Sequence, residues 1–328
     1  MTATLQRLNV DRSPTSLRVF RLVVAVTAMV AVVAALAPSN DTVSMVVVVV
    51  VIALFGIPHG AVDHLVAATI EPTGLERPER RWVTSVQQWR FHVSYVAAML
   101  AYGLVWLATP AVGLAAFLGL SVHHFGQSDL AYLRLERLYQ IVIQLSRGLF
   151  LVGLLLVANL EVVAPVIERM GGFDSASWPW LTNHTTAWSI ALVGQHLAVG
   201  LVSVRCLRDH ATITREVITV VTLTALFIAA DPLIGFAVYF GLWHSLNHLN
   251  VLAEVLRDHE APTALAPVEL ARLVAPRSSV SIAALGVLVI GAQALGRTEL
   301  IVPVALVFVS MLTLPHMVVV ERLWRADR

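Results

Sequence analysis

The chain has 328 residues, of which 58% are hydrophobic and only 13% are charged, and its mean hydropathy is +0.79. Soluble domains carry about twice that share of charged residues, so the composition excludes an ordinary soluble protein and favours a polytopic membrane protein. The formal net charge of +1 gives no reason to expect a nucleic-acid partner, and a single cysteine, Cys206, excludes an intrachain disulfide.

Apolar segments along the chain predict an all-α fold, a polytopic bundle of about ten transmembrane helices in a single integral-membrane domain covering residues 1–328. The first segment also has features of a secretory signal peptide, but it is slightly long for one. The predicted spans, in chain order, are 22–37, 43–65, 91–108, 111–128, 138–156, 187–204, 216–230, 232–256, 279–295 and 300–320. The main polar connections are 71–90, 158–186 and 257–277.

The positions of the arginines predict the orientation of these spans. All 22 basic residues are arginines, and with a cytoplasmic N-terminus only Arg169 and Arg297 fall in outer connections, while Arg147 lies inside the fifth span. Because basic residues are concentrated in cytoplasmic loops, this bias predicts an even number of spans with both termini in the cytoplasm. The chain is therefore expected to be a multi-pass protein of the cell inner membrane.

The second span carries a local signal for irregular backbone. Pro58 lies between Gly56 and Gly60 and directly precedes His59. Proline lacks the amide hydrogen that a helix needs and glycine favours irregular conformations, so a kink or a loosened turn is predicted here. Such a turn would lie next to a histidine.

Two further histidines, His244 and His248, lie four residues apart in the predicted eighth span, within the stretch 241–250. This spacing places both imidazoles on one face of a helix, and Asn247, three residues after His244, belongs to the same face. Imidazoles are costly in hydrocarbon and need a partner or a use. The pair therefore predicts either a shared metal ion or hydrogen bonds between helices.

Seven of the 12 histidines fall in the middle or cytoplasmic part of spans that run in the same direction. They are His59, His64, His123, His124, His244, His248 and His316. At a rise of about 1.5 Å per residue they occupy depths within about 10 Å of one another, which predicts one layer of imidazoles. The other histidines are expected to be interfacial or solvated, without a role: His92, His184, His196, His210 and His259.

A layer of imidazoles suits a borderline divalent metal such as iron, zinc or copper. Carboxylates are too few for a carboxylate-bridged di-iron site. Asp63 is four residues after His59 and could take a ring N–H of that histidine, but both Asp63 and Asp129 could instead simply end their helices. Gln127 and Asn247 are candidates for contacts with a ligand histidine or a substrate, or for hydrogen bonds between helices.

Four short stretches of the sequence occur in an order that resembles a known family. They are 58–64 (PHGAVDH), 124–129 (HFGQSD), 243–248 (WHSLNH) and 315–316 (PH). In this order they resemble the motifs of the Brp/Blh family of bacterial and archaeal β-carotene 15,15′-dioxygenases, which are membrane enzymes that make retinal, often for a rhodopsin. The stretches extend over most of the chain. The first predicted span lies outside them, and no property is transferred to it.

The resemblance implies a four-histidine site for Fe(2+). Its ligands would be His59, His124, His244 and His248. His124 is taken over His123 because it directly precedes Phe-Gly, and the roles of His64 and His316 stay open between support of the ligands and helix packing. The implied reaction is oxidative cleavage of the central 15,15′ double bond of β-carotene by O₂ into two retinal molecules, with no side chain acting as nucleophile.

A carotenoid is a hydrocarbon rod that dissolves in the bilayer, so the site is expected to open sideways toward membrane lipid. Aromatic residues near the motifs could line the path of the polyene, and their alternative role is ordinary packing. The candidates for substrate contact are Phe125, Phe240 and Trp243, with Phe55, Phe236 and Tyr239 nearby in the sequence. A rhodopsin would be a downstream partner of the product.

Three other functions are compatible with histidines in membrane helices. A transporter or channel could line a proton or metal path with them, although acidic residues within the spans are few and lie at one end. A haem-binding electron carrier could use pairs of histidines as axial ligands, which a Soret band would reveal. A lipid desaturase with two irons would carry more histidines in adjacent pairs, and only His123-His124 has that form here.

Overall fold

The computed structural model describes residues 14–37, 40–70, 77–133, 135–174, 178–204, 210–256 and 266–326. Over these residues the chain is almost entirely helical and contains no strand. Helices are expected in a membrane because an α-helix satisfies its backbone hydrogen bonds internally where no water is available. The predicted fold class, an all-α helical membrane protein, is confirmed.

The described residues form sixteen α-helices and one 3₁₀ turn, Thr298–Leu300. The first eight helices are α1 Pro14–Leu36, α2 Asp41–Val51, α3 Ile57–Gly60, α4 Asp63–Ile70, α5 Arg77–Ala108, α6 Pro110–Asp129, α7 Arg137–Gly148 and α8 Leu154–Val157. The other eight are α9 Leu160–Gly171, α10 Pro179–Thr182, α11 Thr185–Val204, α12 His210–Ala229, α13 Pro232–Val238, α14 Leu246–Val255, α15 Pro267–Ala294 and α16 Ile301–Ala326.

Eight helical segments within the described residues are long and apolar enough to cross a membrane. They are Leu17–Leu36, Asp41–Ala68, Trp89–Ala108, Arg137–Val157, Thr185–Ser203, His210–Ala229, Pro267–Ala294 and Thr298–Trp324. The predicted spans 111–128 and 232–256 are helical as well, but they are not among the eight because histidine and amide side chains lower their mean hydropathy. The count of ten and the cytoplasmic termini stay predictions.

Two helices begin earlier than the apolar pattern indicates. The helix α5 begins at Arg77, inside the predicted connection 71–90. The helix α15 begins at Pro267, inside the predicted loop 257–277, of which 257–265 lie outside the described residues. In both cases the helix extends beyond its apolar part because polar residues are good helix formers too, so hydropathy alone places its start too late.

The segment 158–186 is more than the simple connection that its polar residues predict. It contains α9 and the short α10. The helix α9 buries Leu160, Val163 and Met170 at helical spacing. A helix with one buried face and polar residues elsewhere shows no continuous apolar run, so a search for membrane spans passes over it.

In the part of the chain that the structure describes, three π-helical turns interrupt the regular helices, at Ile52–Gly56, Leu149–Gly153 and Tyr239–Ser245. The first directly precedes α3, which carries Pro58 and His59, and it confirms the irregular backbone predicted there. The third contains His244 itself. A π-turn inserts one extra residue into the helical ladder and is frequent at functional sites, so both motif helices have locally altered side-chain directions next to a histidine.

The chain divides into two compact units. The first unit takes the described parts of Ala53–Gly113 and Ser245–Arg328. In it, α16 packs against α3, α4, α5 and α15, while α14 packs against α3 and α4. Its core is aliphatic and includes Val62, Val66, Leu252, Leu270, Val319 and Leu323. The organisation as one domain over residues 1–328 stays a prediction.

The second unit takes the described parts of Asp11–Ile52 and Leu114–His244. In it, α1 packs against α12, α2 against α13, α7 against α11, and α8 against α11, α12 and α13. Helices in lipid associate through close van der Waals packing rather than through exclusion of water. The large side chains that fill this core include Phe150, Leu151, Leu154, Leu223, Leu226, Phe227 and Tyr239.

Candidate metal centre

Three buried imidazoles lie together in the first unit: His59 of α3, His248 of α14 and His316 of α16. The ring centroids of His59 and His316 are 4.7 Å apart, those of His248 and His316 are 5.3 Å apart, and those of His59 and His248 are 5.6 Å apart. Each pair of rings is nearly perpendicular. Three helices from distant parts of the sequence thus bring three imidazoles to one place.

The backbone around His59 fixes the direction of its ring. The Nδ1 atom lies 3.3 Å from the carbonyl oxygen of Phe55, which the π-turn presents, and 3.4 Å from Oγ of Ser245. A carbonyl oxygen can only accept, so Nδ1 donates to it and carries the ring proton. The lone pair of the neutral imidazole is then on Nε2, which is the form that binds a metal.

Asp63 lies at the start of α4 and is almost completely buried. The Nδ1 atom of His316 donates to its two carboxylate oxygens, at 3.0 and 2.9 Å. The hydroxyl of Tyr95, on α5, donates to Oδ2 of the same carboxylate at 3.1 Å. The first unit therefore contains a chain of hydrogen bonds from a half-buried tyrosine through a buried carboxylate to a buried imidazole of the histidine cluster.

The partner of Asp63 differs from the one that its sequence spacing indicates. Four residues separate it from His59, which in a regular helix would place both on one face. However, α3 ends at Gly60, and a turn at Ala61 and Val62 precedes α4. Because the helix is broken between the two residues, helical spacing does not apply, and the carboxylate bonds to the histidine of α16 instead.

The second unit brings His124 of α6 next to His244 of the third π-turn. Their ring centroids are 4.8 Å apart at an interplanar angle of 74°, and each side chain is 2% exposed. The adjacent His123 is exposed, because neighbouring residues of a helix point about 100° apart. Within this motif, His124 is thus the histidine that the fold turns inward.

Aromatic side chains pack around His244. The centroid of the Phe125 ring lies 4.8 Å from that of His244, and the ring of Phe240 stacks on the same imidazole at 5.8 Å. Phe236 in turn stacks on Phe240 at 5.1 Å, and Tyr239 packs against Phe125 at 5.2 Å. Two of the three residues predicted to contact substrate, Phe125 and Phe240, are therefore neighbours of a buried histidine.

Trp243, the third predicted substrate residue, packs toward the first helix. Its Nε1 donates to Oγ1 of the buried Thr27 at 2.9 Å, and its ring meets Phe20 edge-on with centroids 6.0 Å apart. Both partners belong to α1, to which the motifs assigned no property. The first helix therefore contacts the π-turn that carries His244.

Two of the seven imidazoles predicted to share one layer, His64 and His123, have other surroundings than the two histidine clusters described above. His64 is half-buried and packs against His92 of α5, with ring centroids 5.1 Å apart, and His123 is exposed. Depth in a membrane is set by position along a helix, whereas contact also requires that side chains face each other. The shared depth of the seven imidazoles stays a prediction, because depth alone does not decide which of them meet.

The remaining polar candidates have defined surroundings. Gln127 is buried and Asn247 is half-buried. Asp129, the last residue of α6, accepts a hydrogen bond from the hydroxyl of Tyr239 at 3.2 Å. Asp129 thus ends its helix and also links that helix to the third π-turn.

His196 of α11 is not solvated as the sequence indicated. It is 4% exposed, its Nδ1 lies 2.9 Å from Oγ of Ser146, and its ring stacks on Phe150 at 5.3 Å. This hydrogen bond and this stacking explain His196 as a structural residue of the core. Of the other histidines without a role, His184 and His210 are exposed, and His259 lies outside the described residues.

An ion pair inside the second unit was not found from the sequence. Arg147 of α7 is 1% exposed and pairs with Glu216 of α12, which also accepts a hydrogen bond from the hydroxyl of Tyr132. A charged residue inside a membrane helix generally has a charged partner or a function, so the position of Arg147 within the fifth predicted span indicated that it has a partner. Its partner is 69 residues away, so only packing could identify it.

The helix α6, which carries His124, lies in close backbone contact with α7. A Cβ atom on Gly126 of α6 would overlap the carbonyl of Gln144 in α7, and a Cβ atom on Gly148 of α7 would overlap the carbonyl of Val122 in α6. The two glycines thus allow α6 and α7 to approach backbone to backbone, as small residues do in other pairs of membrane helices.

Gly126→Ala should therefore force α6 and α7 apart. We expect the free energy of unfolding to fall by about 1–3 kcal/mol, the usual cost of overpacking, as measured by thermal unfolding of the purified protein in detergent. Gly119→Ala in the same helix is the matched control, because a Cβ atom there meets nothing within 4 Å. Equal stability of the two variants would contradict the close contact.

The fold and these clusters define the class of protein: a helical membrane protein with buried imidazoles that suit a divalent metal ion. His59 in the first unit, and His124 and His244 in the second, are each buried and could each offer one ring nitrogen to a metal ion. The donors are nitrogens rather than the oxygens that magnesium and calcium prefer.

Comparison with known proteins gives the particular family. The family model described as beta-carotene 15,15′-dioxygenase matches residues 50–324, and the chain belongs to this family. A protein of the uncultured marine bacterium 66A03, named beta-carotene 15,15′-dioxygenase, is 26% identical over 207 residues, which are 63% of this chain and 68% of that protein. No solved structure matches the chain. The family predicted from the four motif stretches is confirmed.

Proposed function

We propose that the chain binds one iron ion and uses O₂ to cleave the central 15,15′ double bond of β-carotene into two retinal molecules. The proposed ligands are His59, His124, His244 and His248. The observation that carries the proposal is that these imidazoles are all buried and each contacts another imidazole of its own unit, in a chain of the β-carotene 15,15′-dioxygenase family.

The donor set fits iron. Neutral imidazoles suit Fe(II), and with no anionic ligand in the set the ion would keep its full charge and open positions for reactants. The hydrogen bond from Nδ1 of His59 to Phe55 leaves Nε2 of that ring as the donor atom.

Bound iron would supply the activation of O₂. The overall change breaks one C=C bond and one O–O bond and forms two C=O bonds, so it transfers no proton and needs no side-chain acid, base or nucleophile. The chain's own residues would hold the ligands, orient one double bond and exclude water. Phe125 and Phe240, which pack against His244, offer the aromatic surface on which a polyene would lie.

The proposed substrate is a carotenoid that enters from the bilayer, and the proposed location is the cell inner membrane, which the chain would cross several times. The eight long apolar helices of the described residues support membrane embedding. Retinal, the proposed product, would suit a rhodopsin as a downstream partner.

Expression of the full chain in carotene-producing bacterial cells tests the reaction. We expect the cells to lose their yellow colour and to yield retinal on extraction, and the purified protein to contain one iron per chain. Cells that keep their carotene while the protein is present in the membrane would contradict the proposal. Two irons per chain would favour a lipid desaturase, and a Soret band would favour a haem-binding electron carrier.

A further inference from the structure

We infer that His316 is a further ligand of the proposed iron ion, and that Asp63 is the carboxylate that fixes its tautomer. This inference rests on the proposed function, which takes only His59 and His248 from the first unit. The sequence motifs show His316 as part of a Pro-His pair near the end of the chain. They do not distinguish a ligand from a residue that packs helices together.

Hydrogen bonds determine which nitrogen of His316 is available to a metal. Its Nδ1 lies 2.9 Å from Oδ2 and 3.0 Å from Oδ1 of Asp63. Carboxylate oxygens accept, so Nδ1 carries the proton and Nε2 carries the lone pair. A histidine that binds a metal through one nitrogen and donates from the other to a carboxylate is the usual arrangement in metal sites. The hydroxyl of Tyr95, bonded to the same carboxylate, holds that carboxylate in turn.

The spacing of the three rings agrees with imidazoles around one ion. In histidine sites generally the metal lies about 2.1 Å from each nitrogen, so the centres of two rings bound to one ion are roughly 5 Å apart. The centroid of His316 lies 4.7 Å from that of His59 and 5.3 Å from that of His248, at angles of 90° and 84°. The two proposed ligands are 5.6 Å apart at 88°. The distances and angles from the His316 ring to the rings of His59 and His248 are therefore similar to those between His59 and His248 themselves.

The fold also brings α16 close to α3 at this point. A Cβ atom on Gly60 would lie 3.3 Å from Nδ1 of His316 and 3.7 Å from Oδ2 of Asp63. Because Gly60 has no side chain, it leaves room for the imidazole of His316 and the carboxylate of Asp63 to meet. Asp63 and His316 are only 2% and 4% exposed, and a buried carboxylate is costly unless it is paired and hydrogen-bonded. Simple helix packing would not require such a group.

Titration of the metal-free full chain in detergent with Co(II), without oxygen, tests the assignment. Co(II) binds imidazole sites, and its visible ligand-field spectrum depends on the number of ligands.

His316→Ala should lower the Co(II) affinity more than about 100-fold and change the spectrum at saturation. Added imidazole should restore the wild-type spectrum. Asp63→Asn should weaken binding about 10- to 100-fold, as other losses of a carboxylate behind a ligand do. His92→Ala, exposed on the same helix as Tyr95, should match the wild type.

The outcomes separate this assignment from the proposed function. A wild-type spectrum in saturated His316→Ala would overturn the assignment and leave the proposed function standing. A wild-type chain that took up neither Co(II) nor Fe(II) would overturn both. If His316→Ala does not fold, Asp63→Asn decides by the same titration, because unchanged Co(II) affinity in that variant would overturn the assignment.

Discussion

His244→Ala should abolish retinal formation while the protein still folds and inserts into the membrane. The imidazole is 2% exposed and lies between His124 and two aromatic rings. Loss of a residue that only supports a ligand weakens metal binding about 10- to 100-fold, so loss of a proposed ligand should exceed that. We expect iron in the purified variant to fall well below one per chain. Retinal extracted from carotene-producing cells and elemental iron are the two measurements.

The control for this prediction is a histidine that the fold leaves at the surface. His184 precedes α11 and is exposed, so His184→Ala should keep both retinal formation and iron. The same experiment extends to His59, His124 and His248. Near-normal activity in any two of these four variants would contradict the proposed ligand set, since an iron site does not tolerate the loss of a ligand without effect.

Glu216→Ala should strongly destabilise the protein. The substitution leaves the guanidinium of Arg147, which is 1% exposed, without its carboxylate partner, and Tyr132 loses the acceptor of its hydrogen bond. Removing one partner of a buried ion pair generally costs about 3–5 kcal/mol because the other charge stays buried and uncompensated. Thermal unfolding in detergent should show this loss, together with a lower yield from membranes.

An exposed ion pair of the same chemistry provides the comparison. Arg297 and Glu299 are in contact at 2.7 Å with side chains 60% and 40% exposed, so Glu299→Ala should change stability by only about 0–1 kcal/mol. Replacing both partners of the Arg147–Glu216 pair, with Arg147→Met and Glu216→Leu together, should recover part of the loss, because no buried guanidinium is left without Glu216. Equal losses of stability in Glu216→Ala and Glu299→Ala would show that burial does not govern the energy of an ion pair.

The helices were predictable because their signals are local. The predicted span 43–65 lies within the observed segment Asp41–Ala68, and Pro58 with its flanking glycines indicated the irregular backbone that a π-turn supplies. The helix α9 was missed because its buried residues are spaced along one face rather than continuous. Hydropathy thus located the helices that are apolar all round and overlooked one that is apolar on one face.

The contacts of the site were less predictable because they join distant parts of the chain. Asp63 bonds to a histidine 253 residues away, and Arg147 bonds to a carboxylate 69 residues away. For Asp63 the local pattern was misleading as well, since the break between α3 and α4 cancels the helical spacing from His59. No periodicity within one segment reports how another segment packs against it.

The sequence by itself determined the all-α membrane fold, the four histidine-bearing motifs and the family, because hydropathy and motif order are properties of consecutive residues. Only the tertiary structure decided that the ring of His316 contacts those of His59 and His248, and that Asp63 accepts a hydrogen bond from the histidine of α16. It also decided that His123 is exposed and that His64 packs against His92. The physical reason is that a side chain's direction depends on the phase of its helix, and one turn or break changes which neighbour it meets.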